Sequence, residues 1–96
     1  MQYKVSWNDV NEEGETYIRS IHFYSDLANA HWFITGNFGN DDKDGEFTIK
    51  RLENFVESLQ VGDMQTVFAP NGWDIKITKS ESFFDDFLSH YKKTYA

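Results

Sequence analysis

The chain has 96 residues, 40% of them hydrophobic and 18% aromatic, with no cysteine and a formal net charge of −7. A chain of that size buries roughly 60–65% of its unfolded surface, enough for one core and too little for two, and the aromatic content argues against disorder. The missing cysteines exclude disulfides, thiolate metal centres and cysteine nucleophiles, and the acidity argues against direct nucleic-acid binding, whose affinity comes from Lys and Arg displacing counterions.

Near the start, YKVSW places Tyr3, Val5 and Trp7 on one side and Lys4 and Ser6 on the other, the alternation of a half-buried strand. The polar stretch NDVNEEGE, with Gly14, leads into TYIRSIHFY, rich in β-branched and aromatic residues, so a hairpin with a long loop is expected. Strand parity groups His22 with Ile18, Ser20 and Tyr24 on the open face of the sheet.

In SDLANAHWFITG the period changes. Ser25 stands as N-cap with Asp26 in the first turn, Leu27, Ala30 or His31, and Ile34 recur at helical spacing, and Gly36 supplies the stop. Residues 25–35 read as helix, although HWFIT is also compatible with an extended strand.

After an acidic turn, Thr48 caps a second helix whose apolar stripe is Ile49, Leu52, Phe55, Val56 and Leu59, ended by Gly62. MQTVFA and WDIKITK, joined by PNG, form a second hairpin with Trp73, Ile75 and Ile77 alternating with Asp74, Lys76 and Thr78. Asn71 and Gly72 tolerate the positive φ of a tight turn. Ser82, with Asp85 three residues on, opens a last helix along Phe84, Phe87, Leu88, Tyr91 and Tyr95.

The order ββα-α-ββα predicts an α+β fold, a four-stranded mainly antiparallel sheet with two to three helices packed on one face. Leu52, Phe55 or Val56, Ile75, Ile77, Phe87 and Leu88 are its expected core. A single domain over 1–96 is expected, with a weak internal duplication of 1–36 and 64–96, because IHFYSDLANAHWF and IKITKSESFFDDF both pass from an alternating strand through a serine cap into a helix. Neither a basic-then-apolar leader nor a run of apolar residues long enough to span a bilayer is present, so a cytoplasmic protein without membrane contact is expected.

The segment NDDKDGEFTIKR, residues 40–51, resembles the calcium loop of an EF-hand through its first eight positions. Asn40, Asp42 and Asp44 stand at the first, third and fifth positions, Gly45 at the sixth and Phe47 at the eighth. The twelfth, which should be a bidentate glutamate, is Arg51. The flanks depart too, since two glycines stand in TGNFGN where a helix should enter the loop. The candidate metal ligands are Asn40, Asp42, Asp44 and Glu46, with weak calcium binding as the only cofactor expectation. A solvated turn before a helix N-terminus, where negative charge is stabilised, is the better reading.

No nucleophile elbow, phosphate loop or paired zinc histidines is present, and His22, His31 and His90 have no partner at helical metal spacing. No enzyme activity is therefore expected. His31, beside Trp32, reads as a packed side chain. Residues 1–46 hold nine acids against three bases, whereas residues 47–96 hold seven against six. That asymmetry points to a basic partner attracted and steered by the first half.

The expected function is a small acidic inhibitor or immunity-type protein that blocks a basic surface of a partner such as a nuclease or defence effector, encoded by a phage or toxin system. Its candidate contact residues are Asp9, Glu12, Glu13, Glu15, Tyr17, Trp32, Asp41, Asp42, Asp44 and Glu46. A small-ligand or calcium-binding domain using residues 40–46, and a subunit of a larger assembly, are the alternatives.

Overall fold

The computed structural model describes residues 1–81. The expected last helix, with Phe84, Phe87, Leu88, His90, Tyr91 and Tyr95, lies outside these residues, and with it the helical part of the second half, 64–96, of the suggested duplication.

Strands β1 (Gln2–Val10) and β2 (Thr16–Tyr24) are followed by helix α1 (Leu27–Phe38), a small hairpin of β3 (Asp41–Asp42) and β4 (Gly45–Glu46), helix α2 (Ile49–Ser58), and strands β5 (Met64–Phe68) and β6 (Ile75–Ser80). The main sheet has the order β2-β1-β6-β5 with every neighbour antiparallel. This is the expected four-stranded α+β architecture.

The alternation in β1 and β6 creates the core. Val5 pairs with Ile77 and Trp7 with Ile75 on one face, and all four side chains are buried. Ala30 and Ile34 of α1 and Leu52 and Val56 of α2 are buried in the same cluster, with Phe55 packed at its edge. Lys79 shares that face and donates from Nζ to the carbonyls of Val56 and Leu59, capping the C-terminal end of α2 with a cation.

Several local expectations are corrected. The N-cap of α1 is Asp26, whose carboxylate accepts from the Ala28 N–H at 2.8 Å, and not Ser25. The helix runs through Gly36 and stops at Gly39, where φ is 85°; a glycine inside a helix weakens it without breaking it when flanking turns are packed. Residues 31–35 are helix and not strand. Thr48 does cap α2, accepting at Oγ1 from the Arg51 N–H, but that helix ends at Ser58 and Gly62 belongs to the following turn. Ile49, placed on the buried stripe, is 37% exposed. Residues 73 and 74 precede β6, and Trp73 packs edge-on against Phe38. Asn71 and Gly72 do adopt positive φ.

The largest correction concerns β2. Val5 pairs with His22 and Ser6 with Ser20, so Ile21 is an extra residue that makes a bulge. The bulge reverses parity along the strand. His22 and Tyr24 face the helices, where the His22 ring lies 4.4 Å from that of Phe33, while Ile18 and Ser20 pair across from Asn8 and Ser6 on the other face. No common open face joins Ile18, His22 and Tyr24.

Candidate interaction surface

Two acidic turns lie at one end of the sheet. The first joins β1 to β2 and is shorter than expected, because the strands extend to Val10 and from Thr16. Asn11 organises it: its Oδ1 accepts from the backbone N–H groups of Glu13 and Glu15 at 3.0 and 2.9 Å, and its own N–H donates to the Glu15 carbonyl. Gly14, at φ 84°, closes the turn. This arrangement leaves the Glu12 and Glu13 side chains exposed on a constrained backbone. Asp9 lies in β1, and its carboxylate accepts from Arg19 at 3.3 Å, so part of its charge is compensated.

The second turn is the segment at residues 40–46. Asp42 and Gly45 pair across a two-residue connection, and the Phe47 N–H donates to the Asn40 carbonyl at 2.7 Å. The Asp42 side chain is 1% exposed. It accepts both nitrogens of the Arg51 guanidinium, at 3.0 and 2.8 Å, and also the N–H groups of Asp44 and Ala69. The Arg51 bond, reinforced by those backbone donors against the opposing effect of burial, holds the Asp42 carboxyl down at about 2. The same contact raises the Arg51 guanidinium further above its ordinary value.

Arg51 does more than pair with one acid. It donates to the carbonyls of Gly45 and Val67, lies 3.9 Å from Asp44, and stands 5.5 and 5.6 Å from the ring centres of Phe47 and Phe68. The residue at the twelfth loop position thus supplies the positive charge inside the turn. The flanks also differ from expectation, since α1 and α2 bracket the segment as helix, loop and helix. Asn40, Asp41, Asp44 and Glu46 point to solvent, and no three acids or histidines converge as a metal site among the described residues.

The two acidic turns are linked through the β5–β6 connection. The Asn8 side chain accepts from the Asp74 N–H and donates to the Gly72 carbonyl, while Ala69 holds Asp42. Glu12, Glu13, Asp41, Glu46 and Asp74 have no ion-pair partner among the described residues, whereas Arg19 and Arg51 are both engaged by acids of the same region. The exposed aromatics lie elsewhere on the helix side. Tyr17 pairs with Asp9 and is 43% exposed, and Trp32 stands outward from α1 at 77% exposure.

His31 is half-buried, with Nε2 2.7 Å from the Phe47 carbonyl, as a packed side chain should be. Burial raises the Tyr24 hydroxyl above its ordinary value. Among the described residues, one depression of about 510 Å³ lies at the start of the helices, lined by Tyr3, Leu27, Ala28, Ile49 and Glu53, and another of about 280 Å³ lies beside Arg51 and β5.

Sequence reasoning missed Arg51 as a hub, Asn11 as an organiser and Asp74 as a further exposed acid. Asn11 had a usable signal, an Asn ahead of Gly14 in a hairpin turn, and Asp74 had one in its place on the polar side of the WDIKITK alternation, whereas Arg51 had none. Comparison with known proteins finds no matching family model, no matching curated protein and no matching solved structure.

Proposed function

We propose that this chain is a small binding protein that covers a basic surface of a partner protein, in the manner of an inhibitor or immunity protein acting on a nuclease or defence effector. The observation that carries this reading is the arrangement of charge at one end of the sheet. Exposed carboxylates project from two constrained turns while the nearby guanidiniums of Arg19 and Arg51 are engaged by acids of the same chain, and Lys43, exposed at the tip of the second turn, offsets part of that charge. Preformed turns lower the ordering cost of association, and unpaired acids provide the steering field. Trp32 and Tyr17 supply the kind of exposed aromatic that anchors an interface. No catalytic step is part of this reading, and a cytoplasmic location is its natural setting.

The test is capture from the host at low and high salt, followed by association kinetics with the captured protein. Reversing Glu12 and Glu13 to Lys should slow association at least tenfold at low salt and leave the melting temperature unchanged, because steering charges act on the on-rate. A partner that is acidic, or an on-rate indifferent to salt and to the reversal, refutes the mechanism. A small-ligand site is the second reading, favoured only by the 510 Å³ depression between the helix starts.

A further inference from the structure

β2 is an edge strand, with β1 as its only neighbour among the described residues. Residues 16–19 are all exposed, including Ile18 at 50%, and the strand contains neither proline nor lysine, two usual guards of a free edge. We propose that this edge pairs with the same edge of a second copy, joining two sheets into one antiparallel sheet of eight strands.

The register follows from the backbone. Asn11 donates to the Glu15 carbonyl, which makes those residues a hydrogen-bonded pair, and such pairs alternate along an antiparallel ladder. Tyr17 and Arg19 therefore turn their backbone groups towards β1, and Thr16, Ile18 and Ser20 turn theirs outward. A two-fold axis at Ile18 sets Ile18 against Ile18 and Thr16 against Ser20 as hydrogen-bonded pairs. Tyr17 then faces Arg19 of the second copy at the closely spaced position, where a guanidinium meets an aromatic ring. The segment is self-complementary, as an isologous contact requires, and the bulge at Ile21 ends it.

Charge does not forbid the pairing. Each acidic turn lies five or six residues from the axis, so the two turns stand roughly 35 Å apart, several screening lengths at physiological salt. Added salt should strengthen this association, whereas it should weaken capture of a basic partner. The two readings can thus fail separately.

Sedimentation velocity of the full chain, from micromolar to submillimolar concentration, should show the mass rising from 11.3 kDa towards twice that value. Ile18→Lys, which places like charges across the axis at an exposed position, should abolish the rise without altering the melting temperature. Because the chain has no cysteine, Ile18→Cys reports register directly. Its Cα atoms would lie about 5.5 Å apart across the axis, within disulfide reach, whereas those of Thr16→Cys would be about 14 Å apart. Oxidation should cross-link the first variant and not the second. A mass fixed at that of one chain, association that survives Ile18→Lys, or equal cross-linking of both variants overturns the proposal.

Discussion

At the scale of single residues, Arg51 and Asp42 form the most consequential pair in the described structure. The carboxylate is almost fully enclosed and the guanidinium mostly so, with four backbone polar groups arranged around them. Removing one member of a buried pair leaves the other without compensation, so Arg51→Met should destabilise the fold by about 3–5 kcal/mol in urea denaturation. Acid should act on the same pair. The folded carboxyl at about 2 lies below its ordinary 3.8, so its contribution is fully present above pH 4 and is lost as pH falls through the folded value. The loss should amount to roughly 2 kcal/mol between about pH 4 and about pH 2. Asp42→Asn should flatten that part of the pH profile, and an unchanged slope in the variant would exclude this carboxylate as its source.

At the scale of elements, β6 and the helix stripes were legible because their periods are uninterrupted. Ile75 and Ile77 alternate without a break and both are fully buried, so Ile75→Ala should cost about 2–5 kcal/mol through lost transfer energy and a residual cavity. The orientation of β2 was not legible. Its residues have the right composition for a strand, but a bulge is an arrangement between two strands, and nothing in TYIRSIHFY marks Ile21 as the unpaired residue. One inserted position was enough to move His22 and Tyr24 from the expected open face to the helix side. The helix ends were misread for another reason. Glycine favours a helix stop, so Gly36 and Gly62 read as stops in the sequence, whereas Gly39 ends α1 and α2 has already ended before Gly62. For Trp32 the sequence suggested an anchor, and its 77% exposure means that Trp32→Ala should leave thermal stability within about 0.5 kcal/mol, checked by the same denaturation.

At the scale of the whole molecule, the acidic half separates into charges that hold the structure and charges that face outward. Asp42 and Asp9 belong to the first group, and Glu12, Glu13, Asp41 and Glu46 to the second. Composition revealed the excess but not this division, which depends on contacts between distant segments. With a guanidinium already inside the loop, millimolar calcium or a chelator should leave the melting temperature unchanged. A rise of several degrees, abolished by Asp44→Ala, would mean that a cation enters beside Arg51. The hold on Asp42 comes from segments nine and twenty-seven residues further along the chain. The shape of the acidic turn is therefore completed only when α2 and the end of β5 have arrived, and a nascent or clipped chain that lacks them carries the same charges without the same presentation. Whatever binds that turn by its shape will discriminate finished molecules from unfinished ones.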